Sequence, residues 1–411
     1  MNHFEEYCTK FVQNVGNKDG AVSPVITNSA SFAYGTPEIA QSIFDGTVKK
    51  PLYSRMGNPT TARLESIMAE MDGGVGAIAT SSGMGAITLA TMSILAQGDE
   101  IISIGGLFGG TYSLFSETLT RFGIKTNFFD VDDFKNIEAC INDKTKIIFL
   151  ESVGNPNMRL PDIKKIASIA SSTGVLFMVD NTITPLSISP LNLGADISIY
   201  STTKIISGNS SALGGCVVFR AINSNKDKLN TSRYSFLAKF IKGTGEIALL
   251  VNAKKRALRD FGMSANANAS YQTLLGLETL PLRLPRIFKS VELITLKLSE
   301  SGLNINHPSL ISHPHHKRYL DTFKNGCGTL FTIDFGTKEK AFEFLNKTKL
   351  ATLTANIGDN RTLALHMAST IYRDFDEQTK RFLGISDGLI RISVGLENPQ
   401  DIIDDFLKAI K

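Results

Sequence analysis

A chain of 411 residues, 42% hydrophobic and 20% charged, is long enough for two or three domains that each bury a core. Its formal net charge of +4 is small for this length, and no Lys/Arg run is long enough for a nucleic-acid or membrane track. No apolar stretch approaches the ~20 residues that span a bilayer. The start Met1-Asn2-His3-Phe4-Glu5-Glu6 lacks the basic and apolar regions of a signal peptide, and Cys8, Cys140, Cys216 and Cys327 are scattered, so a cytoplasmic protein is expected.

Residues 1–60 contain several Gly and Pro without strong periodicity, and read as an extended N-terminal arm that packs on a second subunit. From about 64 to 220, short β-rich runs alternate with helical ones. Buried strands are expected at 101–104, 147–150, 175–179, 197–200 and 216–219, and helices at 86–95, 112–122 and 163–171. Such alternation implies an α/β fold with a mostly parallel sheet and helices on both faces. Residues 254–289 are helix-rich and read as the link to a smaller α+β C-terminal domain. That domain would have strands at 329–335 and 389–394 and helices at 340–345 and 401–410. The boundaries follow as 1–60 for the arm, 61–256 for the large domain and 257–411 for the small one.

Two strand ends carry the chemistry. The run Val175-Leu176-Phe177-Met178-Val179 ends in Asp180-Asn181, and Ile197-Ser198-Ile199-Tyr200 ends in Ser201-Thr202-Thr203-Lys204. Sites in parallel sheets lie at the carboxyl ends of strands, where both residues fall. Pyridoxal 5'-phosphate (PLP) needs this pairing: a lysine for the Schiff base and an acid to keep the pyridine nitrogen protonated. The plainer reading is a surface lysine after a strand and an aspartate capping a turn. Ser81-Ser82-Gly83-Met84-Gly85-Ala86 opens a helix after an apolar run, so the Gly83 and Met84 amides can meet a phosphate together with the Ser201 and Thr203 hydroxyls. Small-residue turns before helices are common, and alone this one would say little. Tyr53-Ser54-Arg55-Met56-Gly57-Asn58-Pro59-Thr60 is a loop by its Asn-Pro chemistry, although Arg and Tyr also suit phosphate. His313-Pro314-His315-His316 has no Cys or carboxylate at a standard ligand spacing, and no metal is expected there.

Together these motifs resemble the Cys/Met-metabolism PLP enzymes: cystathionine γ-synthase, the cystathionine lyases, methionine γ-lyase and O-acetylhomoserine sulfhydrylase. The resemblance runs from Tyr53–Thr60 through Ser82-Gly83-Met84, Glu151-Ser152-Val153-Gly154-Asn155-Pro156, Val179-Asp180-Asn181-Thr182, Thr203-Lys204 and Gly276-Leu277-Glu278-Thr279-Leu280 to Arg391-Ile392-Ser393-Val394-Gly395-Leu396-Glu397. It implies the aspartate aminotransferase-like fold type I of PLP-dependent transferases. It gives Lys204 the cofactor linkage and acid–base work, and Asp180 the ring nitrogen. Phe108 would stack on the ring, and Gly83, Met84, Ser201 and Thr203 would hold the phosphate, with Tyr53 and Arg55 joining from a neighbouring subunit. Arg391, helped by Asn155 and Asn356, would bind the substrate carboxylate. A homotetramer of two catalytic dimers is implied, with no nucleic-acid or membrane partner.

The segments 107–115 and 356–363 are most similar to O-acetylhomoserine sulfhydrylases. The expected reaction is therefore replacement of acetate in O-acetyl-L-homoserine by a sulfur donor, giving L-homocysteine for methionine biosynthesis. The alternatives are a methionine or cystathionine γ-lyase, a cystathionine γ-synthase, or a PLP-binding protein without catalysis. Departures from the family cluster at the substrate side. Phe108 stands where most members have Tyr, Asn209 and Ser211 replace the His and Asp of Gly-His-Ser-Asp, and His366-Met367-Ala368-Ser369 and Ile371-Tyr372 replace His-Pro-Ala-Ser and Thr-His.

Overall fold

The computed structural model describes residues 4–14, 20–223, 228–229 and 231–411. A seven-stranded sheet is built from β1 (Gly76–Thr80), β2 (Glu100–Ile104), β3 (Lys125–Phe129), β4 (Thr145–Glu151), β5 (Leu176–Asp180), β6 (Ile197–Tyr200) and β7 (Gly215–Phe219). Its spatial order is β1-β7-β6-β5-β4-β2-β3. Strands β2 to β6 pair in parallel, and β7 runs antiparallel to both neighbours.

Sequence alternation explains why both faces of this sheet are dry. In β4, Ile147 and Phe149 join one core layer while Ile148 and Leu150 join the opposite one. That is the two-residue period of a strand covered by helices on both sides. Each such side chain contributes roughly 1.5–3 kcal/mol on burial.

A second sheet takes β8 (Ile305–Asn306), β9 (Leu330–Asp334), β10 (Thr352–Leu353), β11 (Leu363–His366) and β12 (Leu389–Ser393) in the order β10-β11-β12-β9-β8. The 34-residue helix Ala267–Glu300 serves both halves. Its Leu274, Leu277, Leu280 and Leu284 pack under the large sheet, and Val291, Ile294 and Leu298 pack on the small one.

Several expectations change. The arm is not extended throughout, because helices form at Glu5–Asn14 and Pro37–Phe44. Phe4, just before the first of these helices, and Phe11, seven residues on and on the same face, are buried against the long helix, with the Phe4 and Phe288 rings 6.2 Å apart. Residues 1–3 and 15–19 of the arm lie outside the described residues. The linking segment is split: Lys254–Leu258 and Arg259–Phe261 form one short helical stretch, and from Ala267 the rest belongs to a helix that continues to Glu300, although it contains Pro281 and Pro285. Burial on two sheets outweighs the proline penalty of ~3 kcal/mol each. Instead of one helix over 112–122, the chain passes from Gly109–Ser113 into a π-turn at Leu114–Thr118 and a 3₁₀ turn at Leu119–Phe122. Strands β1 and β3 were not anticipated. Among the described residues, no helix is long and apolar enough to cross a membrane.

Candidate active site

The carboxyl ends of β4, β5 and β6 open onto a cavity of about 220 Å³. Lys204, Asp180, Gly83, Met84, Phe108, Ser201, Thr203, Asn155 and Arg391 all line it. Strand register does much of the positioning, since Glu151 pairs with Asp180 and Asp180 with Ile199 across adjacent parallel strands.

Asp180 is partly buried at the end of β5 and accepts the Thr182 N–H at 2.9 Å. Desolvation raises its pKa, against the opposing effect of the Thr182 hydrogen bonds. The turn after β6 is held by Ser201 N–H donating to the Thr182 hydroxyl at 2.7 Å. Lys204 Nζ donates to Asn356 Oδ1 at 2.5 Å. Burial, reinforced by the positive charge of Arg391, lowers the Lys204 pKa to about 8. The amine therefore has an appreciable neutral fraction close to neutrality.

Helix Gly83–Met92 begins beside this turn, with Ser82 capping it through Gly85 N–H at 3.0 Å. Helix geometry leaves the Gly83 and Met84 N–H groups without intrahelical acceptors, facing the cavity with the helix's partial positive charge. A Cβ on Gly83 would lie 2.6 Å from the Ser201 Cβ, so only glycine lets helix and lysine turn approach this closely. The Thr203 hydroxyl is engaged elsewhere, donating to Gly214 O at 3.0 Å and accepting Gly214 N–H at 2.9 Å.

Arg391 lies in the middle of β12 and is buried. Its Nη1 donates to Asn155 Oδ1 at 3.2 Å, and its Nη2 faces the carbonyls of Ala355 and Asn356 at 3.2 and 3.3 Å. Desolvation lowers its pKa to about 10, which leaves a buried cation without a carboxylate partner among the described residues. An anionic ligand group would complete its coordination. Asn356 in turn donates to Ser210 Oγ at 2.8 Å, and Ser210 leads on to Asp359 and Arg361.

Tyr53 and Arg55 lie outside this cavity. Tyr53 is 46% exposed, and Arg55 stacks over it and donates to Arg259 O at 2.6 Å. The histidine loop is also remote and is tied up structurally: His315 Nδ1 accepts Leu160 N–H at 2.9 Å, and His313 Nδ1 accepts His315 N–H at 3.0 Å. Sequence reasoning gave no role to two residues beside the site. Glu151 lines the cavity, and Tyr372 is buried behind it with its hydroxyl donating to Asn155 O at 3.0 Å. The Glu151-to-Asn155 motif pointed at this place, but only strand pairing puts Glu151 beside Asp180.

Residues 8–411 match the profile of the family described as "Cys/Met metabolism PLP-dependent enzyme". A homocysteine synthase from Schizosaccharomyces pombe is 36% identical, covering 88% of this chain and 87% of its own length. An O-acetyl-L-homoserine sulfhydrylase from Leptospira meyeri is 33% identical, covering 93% of this chain and 91% of its own. Among solved structures, an O-acetylhomoserine (thiol)-lyase from Campylobacter jejuni carries N'-pyridoxyl-lysine-5'-monophosphate. It superposes with a TM-score of 0.92 at 30% identity, covering 98% of this chain and 99% of its own.

Proposed function

The chain belongs to the Cys/Met metabolism PLP-dependent enzyme family, and from that footing we propose that it converts O-acetyl-L-homoserine and sulfide to L-homocysteine and acetate. The observation that carries this reading is the joining of Lys204, Asp180 and Arg391 in one cavity whose aromatic wall, Phe108, has no hydroxyl. Relatives named for the same reaction cover most of the chain.

The residues fit PLP, the family's cofactor. The N–H groups at Gly83 and Met84 and the Ser201 hydroxyl suit its phosphate, Asp180 its ring nitrogen, Phe108 its ring face and Lys204 its aldehyde. Thr203 would contribute through the shape of the lysine turn, since its hydroxyl is committed to Gly214. When bound, PLP supplies an electron sink for negative charge developing at the substrate α- and β-carbons. Arg391 holds the substrate carboxylate, kept in plane by Asn155, while Asn356 steadies the Lys204 amine. Lys204 takes the proton from Cα, takes and returns one at Cβ, and returns one to Cα before product leaves. Its lowered pKa suits both directions.

Acetate needs no proton to depart, since its conjugate acid has a carboxyl pKa of about 4, whereas a thiolate of pKa about 8.5 benefits from a donor. Phe108 therefore favours the ester over cystathionine or methionine. Phe108→Tyr is expected to raise carbon–sulfur lyase activity by ~10²-fold, the lower end of what a general acid supplies, and sulfhydrylation by much less. Equal effects on both reactions would refute this role. The function itself is tested by assaying products from O-acetylhomoserine, O-succinylhomoserine, cystathionine and methionine, each with and without sulfide. Faster turnover of methionine or cystathionine than of the acetyl ester would make the enzyme a lyase.

The same reading includes a cytoplasmic homotetramer in which Tyr53 and Arg55 complete a neighbouring subunit's phosphate site. It is supported by their exposed place outside the cavity of their own chain. Mixing inactive Arg55→Ala and Lys204→Ala subunits should restore activity, because a hybrid dimer contains one intact site. Verified mixed dimers without recovery would mean that each chain builds its own.

A further inference from the structure

Glu151 ends β4 directly beside Asp180 at the end of β5, and both carboxyls, Glu151 buried and Asp180 partly so, line one mostly apolar cavity. Like charges in such a place do not both ionise. Their surroundings differ in a way that decides which keeps the proton. Asp180 takes the Thr182 N–H, and the Thr182 hydroxyl, already accepting Ser201 N–H, has its own proton free for Asp180. Glu151 has one donor, the Phe108 N–H, at 2.8 Å to Oε1. No ion pair with Lys or Arg accompanies either carboxyl among the described residues. The other titratable groups around the cavity are Lys204, Arg391 and, behind it, Tyr372.

The Phe108 N–H is the point where Glu151 meets the aromatic wall. Phe108 precedes the short helix Gly109–Ser113 and has no side-chain cap of its own. Its ring is crowded from beyond, since a Cβ on Gly110 would lie 2.7 Å from the Phe108 Cε1. The ring can therefore hold one position only if the turn that carries it is anchored, and Glu151 is the anchor.

We propose that Glu151 is a positioning residue of the site: a neutral carboxyl that fixes the Phe108 turn and leaves the negative charge to Asp180. Burial and the charge of Asp180 both push the Glu151 proton affinity up, in keeping with that state. The pairing with a ring nitrogen rests on the function proposed above; the protonation and the anchoring do not.

Both are read in cofactor-free protein and in holoenzyme. A carboxyl whose pKa is raised on folding contributes stability that is full below its unfolded value of about 4.3 and is lost as pH rises through the folded value. Glu151→Gln removes that loss while keeping an acceptor for Phe108 N–H. The melting temperature of the cofactor-free Gln variant, relative to wild type, should thus climb by at least about 2 °C between pH 5 and pH 8. A difference that stays flat or falls across this range overturns the neutral state. In holoenzyme, Glu151→Ala should lower kcat/KM for the acetyl ester at least ~10-fold, the effect of an orphaned buried donor, and Glu151→Gln should recover most of it. An alanine variant with wild-type kcat/KM overturns the anchoring, and a Gln variant as poor as alanine overturns the neutral state. If wild type itself ignores the acetyl ester, the function falls, while the melting series still decides the proton.

Discussion

Replacing Lys204 by alanine should abolish homocysteine formation, with a loss of at least ~10⁴-fold, the upper end for a single acid–base group. The expectation is this large because two duties converge on one amine. It is the one lysine lining the cavity among the described residues, and in the proposed function both proton transfer at Cα and covalent retention of the cofactor would depend on it. Borohydride reduction should fix a pyridoxyl group to the wild-type chain and not to the variant. A companion observation follows from the Lys204 pKa of about 8, set by burial and by Arg391. The neutral amine is the nucleophile, so PLP uptake by cofactor-free wild type should speed up with pH and level off above about 8. An alanine variant with near-normal turnover would remove Lys204 from the chemistry.

The second large effect is expected at Asp180. Without its carboxylate nothing in the cavity favours a protonated ring nitrogen, and Glu151 is a poor substitute because it has no second donor to stabilise an anion. Leaving one member of a buried charge pair alone costs about 3–5 kcal/mol, so Asp180→Ala should slow turnover by ~10²–10⁴-fold. The variant should still bind PLP through Lys204 and the proposed phosphate site at Gly83, Met84 and Ser201, with binding followed by the cofactor's own absorbance. Near wild-type rates would show that the ring does not depend on this residue.

What could be read from the sequence divides along physical lines. Asp180 and Lys204 stand out because one apolar run leads directly into Asp180 and a second, mostly apolar one leads into the hydroxyl-rich turn that carries Lys204. The family and its cofactor were legible for the same reason, as motifs around those two ends. The strand Gly76–Thr80 was not, because Gly76-Ala77-Ile78-Ala79-Thr80 is short and built of small residues, and only pairing with Gly215–Phe219 makes it a strand. The helix Glu5–Asn14 was lost because the apolar side chains that hold it, Phe4 at its start and Phe11 within it, find their partners more than 260 residues away on the long helix. Glu151 and Tyr372 escaped because their positions are set by strand register and by the course of the chain between β11 and β12 rather than by neighbours in sequence.

The long helix has a consequence for anyone recombining this chain with its relatives. Buried Arg283 donates to the carbonyls of Ile205 and Ile206 at 3.0 Å each, immediately after Lys204, and to Gly276 O at 2.8 Å. A Cβ on Gly276 would lie 2.5 Å from Ser207 O, so no larger residue fits there. The lysine turn and this stretch of helix are one inherited block, although some seventy residues separate them. Chimaeras with crossovers between 208 and 276 would pair a lysine turn from one parent with a clasp from another, and only parents that share both Gly276 and Arg283 should give working recombinants.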